Sequence, residues 1–594
     1  MSWGEEGHAE RYRSRVFAER ARLSGELADL AGRQTAVLAD MVEFNRDTEF
    51  GRRHGFGSIR TLEDLRAAVP VQDYAAHAPY IERTAAGEEG VLTADAPVVY
   101  FTSSGSTGAH KKIPVTRRFM RTVFFPFYYA AWAPLIGAFP ELTGRADAVL
   151  NLKHDPLSAP PTTADGRPHV GASQVDFGTA FGEPLAAELG TAAPWAALPV
   201  DVAPDDHLEK TYLRLRLAVQ SDVRGLIGIN PAMFAALPYQ LRLWWPRIVK
   251  EIRDGTLGGV PYGAPDAALA ARLESLDEVS PARVWPRVRA LFGWTTGVAS
   301  LYLPALRRTF GTDVVALPAP VAASEGPVAV PLDRHPTAGS IVPSACVYEF
   351  ADADEDLGPG TETLLPQAVE EGRDYHVVFS HVGGLYRYAV GDVVRVVDRV
   401  GGVPRLMYAG RAGRSDAAGE RLREAQVVRA VREALTGAGV ELRNVSCRVE
   451  EAGAGAAETT PRHGGGLSRY ESARDRPAHE GPSTGGSSPG APPRYVFAVA
   501  PETPWPPGAP ARFATLLDAG LGRESPGYAK ARREARLGAP GVRLLHPDSF
   551  RYEWQERVAA GVRPTQVKDR LFRPDESQWR RLTAASDALR GEGT

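Results

Sequence analysis

Apolar residues Val16, Leu23, Leu27, Leu30, Val37, Leu38, Met41 and Val42 recur at near-helical spacing, which predicts a helical stretch over residues 9–47. Two short strand-like runs follow, residues 98–102 and 112–115, on either side of a turn rich in Ser and Gly. Further on, the period alternates: a helix over 207–219, a strand over 226–229, and a helix near 231–241. Such alternation argues for an α/β architecture. Residues 339–408 are rich in strand-like runs, and after Gly410 a polar loop leads into a new helical pattern, a natural domain boundary. The expected organisation is a large N-terminal domain of mixed sheets and helices over 1–410 and a small α+β domain over 411–594.

One tract breaks the pattern. Residues 452–494 hold mostly Gly, Ser, Pro and charge, too few apolar groups to offset ordering entropy, so they predict a disordered insertion. The runs that flank it, VSCRVE and RYVFAVA, should pair with each other. A second unusual run, VFFPFYYAAWAPLIGAF at 123–139, nears membrane-span length but contains Pro126 and Pro134 and many aromatics. It reads as a buried core segment that can wall a substrate pocket.

Composition narrows the function. The chain has 594 residues, 43% hydrophobic and 24% charged, with a net charge of −3 and no long basic stripe. It is thus expected to be globular, without a nucleic-acid or membrane partner. Two distant cysteines, Cys346 and Cys447, suit neither a zinc site nor a disulfide framework, and the N-terminus lacks the apolar run of a secretory signal. A cytoplasmic location is expected. Of 69 basic residues only seven are lysines (111, 112, 153, 210, 250, 530 and 568). In a chain that otherwise uses arginine, a lysine in a loop suggests a need for a compact ammonium.

Four segments carry candidate chemistry. Ser103, Ser104, Gly105, Ser106, Thr107, Gly108 and Lys111 lie between two strands and offer backbone N–H groups, hydroxyls and an ammonium, all suited to phosphate oxygens. The spacing is not that of a P-loop, and by composition alone an ordinary turn is the simpler reading. Ser324-Glu325-Gly326 follows a strand-like run and could be a turn with a helix-capping serine. Gly391-Asp392 in GLYRYAVGDVV, followed by LMYAGR ending at Arg411, could be a hairpin turn. Lys568, in PTQVKDR, could be a solvated surface lysine.

Their succession changes the weighting. SSGSTG, then Lys111, then IPVT resembles the phosphate loop of the Gretchen Hagen family, the auxin-responsive acyl-acid amido synthetases. NRDTEFGRRHGF at 45–56 and VPVQDYAAHAPYIER at 69–83 resemble the same family, as do the other three segments. The resemblance implies an adenylate-forming fold whose mobile C-terminal domain carries an adenylation lysine. It implies that Ser103–Gly108 and Lys111 hold ATP phosphates, and that Glu325 holds Mg²⁺, a hard cation suited to a carboxylate with phosphates and water. Asp392 would accept both ribose hydroxyls, with Tyr388 and Ser324 lining the nucleotide site. Arg411 would mark the hinge, and Lys568 would act in catalysis together with Glu325.

The implied reaction converts a small carboxylic acid to its acyl-AMP and passes it to an amine or amino acid. Alternatives of other classes are an acyl-CoA or carrier ligase and a degenerate nucleotide-binding protein. Two departures stand out. Val321 replaces the family's aromatic, which puts adenine stacking in question, and Asp569-Arg570 replaces its Pro-Arg, which predicts a less fixed lysine loop.

Overall fold

The computed structural model describes residues 7–104, 110–155, 160–183, 185, 188–451 and 491–591. The insertion expected over 452–494 lies outside these apart from residues 491–494.

The helical stretch at the N-terminus is two helices, His8–Glu26 and Leu30–Asn45, separated by a single 3₁₀ turn, Leu27–Asp29. Asp29 leaves helical backbone, and its carboxylate accepts the Gly32 N–H at 3.2 Å, capping the second helix. Leu23, Leu27 and Leu30 are buried across the break, so the apolar phase runs through it.

Four parallel strands form the first framework, in the order Val149–Asn151, Gly225–Ile227, Ala290–Gly293, Val315–Pro318. All four bury their side chains at least in part, as a sheet covered on both faces requires. The helix after the second strand runs from Pro231 to Asp254, well past the expected stop near Leu241, with Pro238 and Pro246 inside it. Each internal proline costs about 3 kcal/mol in an isolated helix. Here burial of Met233, Phe234, Leu237, Leu241, Ile248, Val249 and Ile252 along one side offsets that cost.

The second framework is a five-stranded antiparallel sheet, ordered Gly339–Ser340, Val403–Arg411, Leu385–Val400, Asp374–His381, Val347–Asp352. Gly391-Asp392 is not a hairpin turn. Gly391, at φ 81°, sits inside the 16-residue strand Leu385–Val400, and Asp392 pairs across the ladder with Arg411.

The aromatic run at 123–139 lies in the core. Its helices Phe125–Ala130 and Ala133–Ala138 place Pro126 and Pro134 in their first turns, where no amide hydrogen is needed. No helix among the described residues is long and apolar enough to cross a membrane. Cys346 and Cys447 are buried free thiols.

Beyond Arg411, the strands Leu442–Glu450 and Arg494–Pro501 pair antiparallel as expected, and Gly541–Leu544 adds in parallel. Helices Glu424–Ala438 and Ala509–Glu524 pack together within this smaller α+β unit.

Candidate active site

In open α/β sheets, ligands bind beyond the carboxyl ends of the strands. Here Asn230, Trp294 and the hairpin Val321–Ala323/Gly326–Ala329 follow three of the parallel strands at that edge. Glu325 sits at the tip of the hairpin and is 3% exposed. Its Oε1 accepts the Tyr388 hydroxyl at 3.1 Å and lies 3.6 Å from Lys111 Nζ. Lys111 also donates to the Tyr388 oxygen at 3.3 Å and stands over the Tyr74 ring, 5.2 Å from its centroid. Both contacts fall on Oε1 and leave Oε2 for a further partner.

A buried histidine supports this carboxylate from behind. His381 Nε2 donates to the Glu325 carbonyl at 2.9 Å, and its Nδ1 accepts the Gly383 N–H at 3.1 Å. Burial pushes its pKa down to about 4, so the ring is neutral, with one nitrogen giving and one receiving. Ser324 Oγ donates to the Thr102 carbonyl at 3.2 Å, which ties the hairpin to the strand entering the Ser/Gly turn. Its hydroxyl is thus engaged with backbone, and no helix follows it to cap. In the hairpin Pro97–Ser104/His110–Thr116, Ser103 pairs with Lys111 and Ser104 with His110. Residues 105–109, and with them Gly105, Ser106, Thr107 and Gly108, lie outside the described residues, as do the side chains of Ser103 and Ser104.

Asp392 is buried, with its Oδ1 2.9 Å from Arg411 Nη1. That approach lacks hydrogen-bond alignment, so among the described residues Oδ1 has no hydrogen-bond donor. Burial raises the Asp392 pKa, and the Arg411 charge opposes the rise. A buried carboxylate oxygen without a donor is costly unless a ligand supplies one.

Lys568 completes the group. Its ammonium stands 4.9 Å from the centroid of the Trp294 ring, and burial lowers its pKa, with the positive charge of Arg411 adding to the effect. Asp392 and Glu325 oppose that shift, which places the ammonium within electrostatic reach of both carboxylates.

The lysine loop is well anchored without the proline. Asp569 accepts the Tyr302 hydroxyl at 2.5 Å and the Asn444 amide at 2.7 Å. Asn230 Nδ2 donates to the Val567 carbonyl at 2.6 Å, and Ser446 Oγ to the Arg570 carbonyl at 2.6 Å. The expectation of a looser loop is corrected: side-chain hydrogen bonds from both halves of the molecule replace the ring's restraint.

Comparison with known proteins decides the family. Its N-terminal, central and C-terminal domain models match residues 21–315, 339–411 and 483–575. The chain belongs to the GH3 family. A probable indole-3-acetic acid-amido synthetase, GH3.12 of Oryza sativa subsp. japonica, is 26% identical over 432 residues, 64% of this chain and 69% of the relative. A putative indole-3-acetic acid-amido synthetase of Arabidopsis thaliana, GH3.9, is 24% identical over 436 residues, covering 66% and 72%. The solved acyl acid amido synthetase AtGH3.15, in complex with 2,4-DB, superposes with a TM-score of 0.73 at 19% identity and covers 96% of both chains. This GH3 chain therefore shares the fold of that synthetase structure, mixed helices and sheets with a separate C-terminal unit.

Several site residues were missed in the sequence. Trp294 under Lys568 and His381 behind Glu325 sit outside any residue pattern that predicts chemistry. Tyr74 lies inside the quoted segment at 69–83, but nothing in its sequence shows that its hydroxyl accepts the Lys112 N–H at 2.9 Å. Glu424, the first residue of its helix, comes close to the Gly297 and Gly410 backbone, and burial pushes its pKa up to about 7. Val321 packs half-buried against the core, and Tyr408 is the aromatic side chain beside Asp392 and Glu424.

Proposed function

We propose that this chain is an ATP-dependent acyl-acid amido synthetase, which forms an acyl-AMP and then an amide. The observation that carries the reading is the convergence of Lys111, Glu325, Asp392 and Lys568, drawn from four distant segments, on one edge of the parallel sheet. The relatives named as indole-3-acetic acid-amido synthetases support the reaction type. A boundary at 410/411, with the lysine on the smaller unit, fits the same reading.

A carboxylate is a poor electrophile, because resonance and its own charge discourage attack. Its oxygen attacks the α-phosphorus of ATP, the bond to the leaving pyrophosphate breaks, and AMP becomes a good leaving group on the acyl carbon. A neutral amine then attacks that carbon and AMP departs. Negative charge gathers on the phosphate oxygens in the first step, where preorganised cations are most effective. Lys111 and the Ser/Gly turn, Ser103 to Gly108, are assigned to the β- and γ-phosphates. Lys568 is assigned to the oxygens at the α-phosphorus and the acyl group. Asp392, with Oδ1 lacking a donor, is assigned to the ribose diol, with Tyr388 and Ser324 positioning the surrounding elements and Arg411 at the hinge.

Mg²⁺ fits Glu325, whose Oε2 is open for a ligand. No group of three or more possible protein ligands occurs among the described residues, so the remaining positions would belong to phosphates and water. Bound there, the ion would neutralise phosphate charge. Trp294 shields one side of Lys568, and His381 keeps Glu325 in place without contributing charge. The absence of a membrane-spanning helix among the described residues suits a cytoplasmic enzyme acting on small molecules.

An ATP–pyrophosphate exchange screen over carboxylic acids, indole-3-acetic acid among them, tests the reading. At least one acid should support exchange. Exchange with none, while ATP still binds, would leave a nucleotide-binding protein without ligase activity.

A further inference from the structure

Among the described residues, only Arg387, Arg421 and Ala535 hold a positive φ without being glycine. Arg387, at φ 44°, lies inside the strand Leu385–Val400, one residue before Tyr388. Such backbone is disfavoured for an arginine and persists only where its surroundings fix it. Its consequence shows in the strand register. His381 pairs with Leu385 and Phe379 with Tyr388, so a step of two residues on one strand meets a step of three on the other. The extra residue makes a β-bulge. Paired residues share a face of a sheet, and the Phe379 and Tyr388 rings stack with centroids 6.1 Å apart. In an unbroken register Arg387 would stand opposite Phe379. Tyr388 would then turn to the other face, away from Glu325.

Both the side chain and the main chain of Arg387 hold this bulge. Its buried guanidinium meets the buried Glu349 carboxylate as a fork, Nε to Oε1 at 2.9 Å and Nη2 to Oε2 at 3.1 Å. Nη1 donates to the Val69 carbonyl at 2.8 Å, and Nη2 also donates to Thr363 Oγ1 at 3.2 Å. Glu349 accepts Arg66 Nε at 2.9 Å as well, which ties in the helix before Val69. The Arg387 N–H donates to Ser380 Oγ at 2.7 Å, and its carbonyl accepts the Gln72 N–H at 2.9 Å. Residues 69–72 are thereby docked along the bulge. Two residues further on, the Tyr74 ring lies under Lys111 and its hydroxyl accepts the Lys112 N–H. On the other side of the bulge, the Tyr388 hydroxyl meets Glu325 and Lys111. Two tyrosines that hold the proposed phosphate and Mg²⁺ groups thus depart from one buried ion pair.

We infer that Arg387 is a positioning residue for the phosphate end of the site. Locked to Glu349, it holds the bulge that aims Tyr388 at Glu325 and Lys111, and it docks the segment that brings in Tyr74. The inference rests on the amido synthetase reading and adds to it a residue that stands behind the reacting groups. Pyrophosphate leaves after the first half-reaction, so the influence of Arg387 should be confined to that half.

The test uses the full chain, an acid that supports exchange, and the two half-reactions measured separately. Arg387→Lys keeps the charge and loses the fork. In pyrophosphate exchange it should raise KM for ATP about tenfold, together with the Mg²⁺ concentration needed for half-maximal rate. KM for the acid, and amide formation from preformed acyl-AMP, should stay at the native level. Glu349→Gln should show the same split. Tyr388→Phe removes the hydroxyl that meets Glu325 and Lys111, so its effect should overlap with that of Arg387→Lys. The double variant should lose no more than about threefold beyond the worse single one. A double loss equal to the product of the single losses would overturn the inference. So would equal loss in both half-reactions, which marks a pair that only supports the fold, and so would native kinetics in Arg387→Lys. Should these variants fail to fold, Ser380→Ala removes only the acceptor of the Arg387 N–H. A KM for ATP raised about threefold there, with the second half-reaction native, supports the inference, and native kinetics in both halves overturn it. Absence of acid-dependent exchange in the native chain would instead count against the ligase reading.

Discussion

At the scale of single residues, the site is governed by what burial leaves unsatisfied. Asp392 is the clearest case: its charged neighbour Arg411 lies at 2.9 Å, yet its buried Oδ1 receives no hydrogen bond from the described residues. A diol present in both the ground state and the transition state would supply that donor, so its loss should weaken binding more than chemistry. Asp392→Ala should therefore raise KM for ATP by about tenfold or more, in line with about 1.5–3 kcal/mol for a hydrogen bond to a charged group. Steady-state exchange kinetics check this, and an unchanged KM with collapsed kcat would refute the ribose assignment. Lys111, Glu325, Asp392 and Lys568 were legible as candidates through the succession of four motifs that resembles the family, since each motif alone reads as an ordinary turn or surface lysine. Trp294 and His381 were not, because their roles depend on which distant side chain or carbonyl the fold brings against them.

At the scale of elements, local pattern decided most strands and failed where tertiary contacts outweigh it. The hairpin at 97–116 and the pairing of 442–450 with 494–501 follow from β-rich runs. The helix Pro231–Asp254 passes two prolines because its buried side compensates, a balance no local rule contains. The lysine loop shows the same: its missing proline suggested slack, but Tyr302 and Asn444 hold Asp569 from outside the segment.

Two buried histidines tie elements together in the same way, and they set a pH dependence. His381 supports the Glu325 hairpin, and His77 Nε2 accepts the Tyr386 N–H at 3.3 Å. Burial pushes both pKa values down to about 4, against about 6.5 in the unfolded chain. The unfolded state then binds more protons than the folded state between these values. This stability is fully present above about pH 6.5 and is lost as pH falls toward 4, by at most on the order of 3 kcal/mol for each ring. Chemical denaturation at pH 7.5 and 5 should show the decline, and His381→Gln should make it shallower. An equally steep decline in that variant would place its origin elsewhere.

At the scale of the whole molecule, Lys568 belongs to the smaller C-terminal unit yet lies in the same field as Asp392 and Glu325 on the larger one. This is the arrangement the first half-reaction needs. Polar contacts hold it there, among them Asn230 to Val567, Tyr302 to Asp569, and Arg308 to Glu441 at 2.6 Å, beside an apolar seam in which Ala232, Met233 and Ala236 pack with Trp554, Val558 and Val567. We propose that the smaller unit breaks these contacts and carries the lysine away once pyrophosphate has left. On this view Lys568 serves adenylation and not amide formation. A preorganised cation at a developing oxyanion is typically worth about 3–4 kcal/mol, which is about a hundred- to thousandfold in rate. Lys568→Ala should therefore reduce acid-dependent pyrophosphate exchange by that factor. The same preparation, supplied with preformed acyl-AMP and a competent acceptor, should still make amide at near the native rate. Lys568→Arg should restore exchange poorly, because a planar fork does not replace a compact charge beside Trp294. Equal loss in both half-reactions would show that residue 568 maintains the interface rather than the chemistry, and full activity in both would remove it from the mechanism.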